Sequence, residues 1–115
     1  MRAVVFDTTD PRALAAFWAD VTRSPVAHDF RGEYVVVEWS PVLAFQYVSH
    51  PTHGKNRIHI DLQAADAEAA EEEIQRIVGL GAHRIGSVEM RNVSWVVLAD
   101  PEGNEFCLFL PMRAE

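Results

Sequence analysis

The sequence predicts an α+β domain made of two pseudo-symmetric βαβββ modules. Two observations carry that reading. Asp10 and Asp66 are each placed as a helix N-cap, and they lie 56 residues apart in a chain of 115. Each is preceded by one β-rich segment and followed by a helical apolar stripe and three further strand candidates.

The elements follow in order. "RAVVFDTT" (2–9) is a short strand. Asp10 then caps a helix with Pro11 at its first position, and Leu14, Phe17, Trp18 and Val21 form one face at i, i+3, i+4, i+7. Ser24 and Pro25 end it. "VAHDF", "EYVVVEW" and "VLAFQYV" are strands separated by the turn material "RGE" and "SP". "SHPTHGKN" (49–56) reads as the joint between module one, about 1–50, and module two, about 56–112, within a single domain spanning 1–115. "RIHIDLQ" (57–63) opens the second module as a strand. Residues 67–78 form its helix, with Ala70, Ile74, Ile77 and Val78 on one face and Gly79 and Gly81 at the stop. Strands around "HRIGSV", "VSWVVLA" and "EFCLFLP" complete the pattern, the last two joined by the turn "DPEGN".

Composition narrows the function classes. A hydrophobic share of 49% and a charged share of 23% suit a globular protein with a real core. A net charge of −7 argues against nucleic-acid or anionic-membrane partners, which need a basic patch. The single cysteine, Cys107, excludes an internal disulfide and a cysteine-only zinc site. No apolar run reaches membrane-span length and no signal peptide is recognisable, so the expected location is cytoplasmic.

Alternation along "RIHIDLQ" sets Ile58, Ile60 and Leu62 on one face and Arg57, His59, Asp61 and Gln63 on the other. Together with "DPRALAAFWADV" and "WVVLADPEGNEFCLF", the stretch "GKNRIHIDLQAAD" resembles the vicinal oxygen chelate superfamily, and within it the small glyoxalase-like proteins. The resemblance spans essentially the whole chain. It implies an eight-stranded cup with one helix outside each module. In metal-dependent members, ligands on the first, fourth, fifth and eighth strands hold a divalent ion that chelates two substrate oxygens. Carried over, those positions fall on Ala3, Gln46, His59 and Cys107. Ala3 has no donor, and a cysteine thiolate is soft where the family's chemistry is hard. The expectation is therefore no metal and no cofactor. The resemblance also implies that Ala3, Val5, Asp7, Gln46, Glu105, Cys107 and Phe109 point into the cup, while Phe6, Phe45, Tyr47, Phe106 and Leu108 point outward.

Each candidate residue has a plainer reading. His59 is a pocket-lining residue first, a strand histidine satisfied by Asp61 second, and a metal ligand third; general-base work stays open to it. Asp7, Gln46, Arg57 and Asp61 either converge on a polar ligand or decorate a solvated sheet face. Cys107 reads as a small buried side chain rather than a nucleophile. Trp39 and Trp95 wall a ligand pocket or serve packing, and Trp18 belongs to the core. His50 and His53 sit in a loop and read as exposed.

The expected function is small-molecule binding, as in the bleomycin-resistance branch, by a polar cup that lacks most of the family's metal ligands. The ligand-binding set is His59, Gln46, Asp7, Asp61, Arg57, Cys107, Trp39 and Trp95. Two alternatives stay open: a lyase, isomerase or dioxygenase of the superfamily, and a structural domain with a filled cup. A homodimer is expected, with no nucleic-acid or membrane partner.

Overall fold

The computed structural model describes residues 1–112; the last three residues of the expected domain, Arg113–Glu115, lie outside the described residues. The chain divides into two compact units, residues 1–53 and 54–115.

The first unit runs β1 (Val4–Thr8), α1 (Pro11–Thr22), β2 (Val26–Phe30), β3 (Tyr34–Val37) and β4 (Leu43–Tyr47), in a sheet of order β1-β4-β3-β2. The second repeats it: β5 (Asp61–Gln63), α2 (Ala67–Gly79), β6 (His83–Met90), β7 (Val93–Ala99) and β8 (Glu105–Phe109), in the order β5-β8-β7-β6. In each unit the first strand pairs parallel to the last, and the rest of the ladder is antiparallel. The connection between those two strands, a helix followed by two strands, is long enough for a parallel partner to be reached. The fold class is α+β, with two βαβββ modules as expected.

Both helices start where their aspartates place them. Asp10 accepts a hydrogen bond from the Ala13 N–H at 3.2 Å, and Asp66 from the Ala69 N–H at 2.7 Å. α1 ends when Arg23 turns left-handed at φ 52, which lets the Ser24 N–H reach the Ala19 carbonyl at 2.9 Å. Its apolar face lies against the first sheet. There Phe6 meets Trp18 at 5.5 Å and stacks on Phe45 at 4.9 Å, while Phe17 meets Trp18 edge-on at 5.5 Å. α2 buries Ala70, Ile74 and Ile77. Val78, expected on that stripe, is exposed, because one residue past Ile77 is a rotation of about 100° around the helix.

A charged clasp holds the β2–β3 hairpin to the start of α1. The Arg12 Nε donates to Asp29 Oδ2 at 2.7 Å, and the Gly32 N–H donates to Asp29 Oδ1 at 2.8 Å. Gly32 sits at φ 70, and a side chain there would crowd the Arg12 guanidinium. The Arg12 hydrogen bond first, and the Gly32 N–H second, hold the Asp29 carboxyl below the usual carboxylate range. A depressed carboxyl stabilises the fold above its unfolded pKa of about 3.9, and the contribution fades as pH falls through the folded value. Asp29→Asn should therefore melt below the wild type at neutral pH, and the gap should close in acid. Thermal melts across that range check it; a gap independent of pH would contradict it.

Three local expectations are corrected. Residues 57–60 are not assigned to a strand: Arg57 and Ile58 form a bend and β5 covers only Asp61–Gln63. Ile58, on the apolar face of that alternation, is 82% exposed. Asn56 supplies the reason. Its Nδ2 donates to the Ile58 and Glu105 carbonyls at 2.8 and 2.9 Å, and its Oδ1 accepts from the Glu105 N–H at 2.7 Å. The side chain takes over the start of β8, so the ladder resumes only where the Cys107 N–H meets the Ile60 carbonyl at 2.9 Å. Tyr47, expected to pack outward, is 50% exposed at the end of β4. Trp39 is not on a strand; it lies half-buried in the β3–β4 connection, after the ladder has ended at Val37.

Candidate functional site

Register decides which side chains meet. In the first unit Asp7 pairs with Gln46, Gln46 with Tyr34, and Tyr34 with Phe30. Directly paired residues share a sheet face, so these four form one row across all four strands. It lies opposite the face that Phe6 and Phe45 present to α1. The row is open: Asp7, Gln46 and Phe30 are exposed and Tyr34 is half-buried. Phe30 continues into a stack with His28 at 5.8 Å. A depression of about 470 Å³ adjoins the row, lined by Glu33, Tyr34, Gln46 and Tyr47.

The second unit has its own row. Asp61 pairs with Cys107 on the parallel β5–β8 ladder, and Cys107 with Val97. One step along, Gln63, Phe109 and Trp95 form the neighbouring row of the same face. Trp95 stacks on Phe109 at 4.9 Å. The other face is dry, with Phe106, Leu108, Val96 and Leu98 all buried. His59 stands two residues before Asp61, and its Nδ1 lies 2.9 Å from Asp61 Oδ1. The plainer reading of His59, an imidazole satisfied by Asp61, describes that contact. Both side chains stay about half exposed. Burial first, and the Asp61 carboxylate second, push the Cys107 thiol up from its ordinary value. A protonated buried thiol is a poor nucleophile, so its plain reading stands as well.

Of the eight residues expected to bind ligand, the structure sets Asp7 beside Gln46, and His59 and Asp61 beside Cys107, with Trp95 one row along. Arg57 is in the bend ahead of β5 and Trp39 is in a connection, so neither is placed by a sheet. Tyr34 and Phe30 escaped sequence reading. Their alternation was visible, but the register that sets them beside Gln46 was not. Asn56 escaped too, since an asparagine in a loop carries no signal of the carbonyls it will meet.

The residues at the four metal-ligand positions do not fit a hard divalent ion. Ala3 offers no donor, Gln46 offers a neutral amide, and Cys107 offers a buried neutral thiol. Only His59 is a conventional ligand, and an oxygen-preferring ion needs several oxygen donors.

A family model described as a glyoxalase-like domain matches residues 3–109. No curated protein matches the chain significantly. Among solved structures, the chain is similar to a glyoxalase/bleomycin resistance protein/dioxygenase family enzyme from Burkholderia phytofirmans PsJN. The TM-score is 0.82 at 19% identity, over 95% of this chain and 96% of that one. It is also similar to a lactoylglutathione lyase from Agrobacterium tumefaciens, with a TM-score of 0.70 at 17% identity over 96% and 92% of the two chains. A fosfomycin resistance protein from Mesorhizobium loti gives 0.73 at 13% identity, over 97% and 91%. At these identities the likeness is one of fold.

Proposed function

Because the chain belongs to the glyoxalase-like domain family, we propose that it is a single-domain small-molecule-binding protein that works without the family's hard divalent ion. The observation that carries this is the open row Asp7–Gln46–Tyr34–Phe30. It combines a carboxylate, an amide, a phenol and an aromatic face beside a depression of a size that suits a small ligand. A core would not leave Phe30 57% exposed. A planar ligand with hydrogen-bonding edges suits such a surface, because the aromatic faces stack and the amide and carboxylate orient.

Gln46→Leu and Tyr34→Ala test the reading. Neither removes a buried partner, so each should change stability by no more than about 0.5–1 kcal/mol. Hits from a fragment screen, followed by chemical-shift perturbation, should map to this row and weaken in both variants. Loss of several kcal/mol of stability with no hit at the row would favour the structural-domain alternative. Turnover of a hit would favour the enzyme alternative.

A cytoplasmic homodimer belongs to the same proposal. β6 is an eight-residue strand exposed along its length, with Ile85, Val88 and Met90 on its surface. Long apolar edges are ordinarily paired or covered. No helix among the described residues is long and apolar enough to cross a membrane. Sedimentation should show a dimer at roughly tens of micromolar; a monomer there would count against it.

A further inference from the structure

β6 ends the second sheet's order β5-β8-β7-β6, so its outer side meets no other strand of that sheet. Natural edges are ordinarily blunted with lysine, proline or a bulge. β6, with the sequence HRIGSVEM, holds no lysine or proline. Its register shift falls between Arg84 and Gly86, which leaves Gly86, Ser87, Val88, Glu89 and Met90 in regular register with β7. The Leu110 N–H donates to the Ser94 carbonyl at 3.0 Å, so the main-chain groups of Ser94 face β8. Along an antiparallel strand those groups turn to one neighbour and then the other, so Val93, Trp95 and Val97 turn theirs toward β6. Their register partners Met90, Val88 and Gly86 meet them there, and Ser87 and Glu89 turn their main-chain groups to the open edge.

We infer that β6 pairs antiparallel with β6 of a second copy, about a two-fold axis at Val88, so that the second sheets of two chains join into one. The inference rests on the homodimer reading and supplies its interface. Pairing β6 with itself closes after two chains. Pairing it with β2, the outer strand of the other sheet, would repeat from chain to chain without closing. β2 is also shorter, and its Asp29 is already held by Arg12.

Side-chain chemistry sets the register. A two-fold axis perpendicular to the sheet keeps every side chain on its own face, so one residue must stand opposite itself. Glu89 on the axis would oppose two carboxylates. Gly86 or Ser87 there would run the pairing through the register shift, and Met90 would run it into the turn at Arg91, whose φ is 54. Val88 on the axis avoids all of these. It sets Glu89 against the partner's Ser87, whose hydroxyl can donate to the carboxylate. Met90 falls against the partner's Gly86, where a side chain would meet only open space. The outward groups of Ser87 and Glu89 then exchange main-chain hydrogen bonds across the edge. Val88 and Met90, both exposed in the single chain, are covered. Val88 also ends the row Gln63–Phe109–Trp95, which therefore continues across the axis into its copy.

Thiol trapping reads the register. Val88→Cys sets two thiols across the axis in a non-hydrogen-bonded pair, where Cα atoms stand about 4.5 Å apart, within the span a disulfide bridges. Mild oxidation at roughly tens of micromolar should give a covalent dimer. Gly86→Cys and Met90→Cys should not cross-link alone and should cross-link when mixed. The wild type, whose thiol is the buried Cys107, should not cross-link. Ser87→Pro removes an outward N–H and leaves the inner ladder whole, and Val88→Arg sets like charges on the axis. Each should weaken dimerisation roughly tenfold or more in sedimentation, with the circular dichroism of the folded chain kept. Val88 is an exposed side chain, so its variant carries the test even where Ser87→Pro does not fold. A wild-type monomer at that concentration would sink the homodimer reading and this inference with it. A dimer that fails to trap at Val88→Cys, that traps through Ser87→Cys instead, or that survives Val88→Arg unchanged would overturn this interface and leave the homodimer reading standing.

Discussion

Trp18→Ala is expected to lower the unfolding free energy by about 3–5 kcal/mol, the cost of emptying a large aromatic site in a packed core. Trp18 is fully buried in α1 and touches two rings, Phe6 and Phe17, at 5.5 Å each. Phe6 also stacks on Phe45, so the indole is one corner of a cluster that joins α1 to β1 and β4. Relaxation into the gap is resisted from below, where Leu43, Phe45, Val35 and Val37 are themselves fully buried on the sheet. Small domains are stable by only about 5–15 kcal/mol in total, so this one change should shift a urea midpoint far enough to read directly. Phe30→Ala is the matched control: its ring is 57% exposed on the opposite face of the same sheet and should cost under about 1 kcal/mol. Similar losses for both would mean that the first sheet buries its two faces alike, and the open row would no longer be a surface.

Much of the fold was legible because its signals are local. Asp10 and Asp66 cap the helices they announce, and "DPEGN" turns where it reads as a turn. The period-two pattern correctly separated Phe6 and Phe45 from Asp7 and Gln46. Cross-strand facts were not legible. Nothing in the sequence says that Asp61 stands opposite Cys107 while His59 stands a pair earlier, because register depends on where pairing starts. Here it starts late, since Asn56 occupies the Glu105 backbone and turns Arg57 and Ile58 out of the ladder. The pattern in "RIHIDLQ" was sound as an alternation and wrong as a seven-residue strand. The same late start is what leaves His59 free to turn toward Asp61.

Asp100→Ala is expected to cost about 3–5 kcal/mol, although Asp100 lies in a turn. Its carboxylate is fully buried and accepts hydrogen bonds from Glu102 and Asn104. Oδ1 takes the Glu102 and Asn104 backbone N–H groups, both at 2.9 Å, and Oδ2 takes the Asn104 Nδ2 at 2.8 Å. Its own N–H donates to the Asn104 carbonyl at 2.8 Å, and its carbonyl accepts from Gly103 at 2.9 Å, where the chain turns at φ 90. Hydrogen bonds to a charged group are worth about 1.5–3 kcal/mol each, and orphaned donors add desolvation costs that water only partly relieves. Asp100→Asn keeps one oxygen where two backbone N–H groups need it, and Asn104 can rotate its amide to meet the new –NH2. Its loss should be well under half that of alanine in the same urea titration. The turn also delivers Glu105 to Asn56 and so sets where β8 begins. Asp100→Ala should therefore loosen β8 enough to speed labelling of the buried Cys107 by a thiol reagent under native conditions, with Asp100→Asn close to wild type. Equal stability losses in the two variants would show that the turn depends on the charge of Asp100 rather than on the placement of its oxygens.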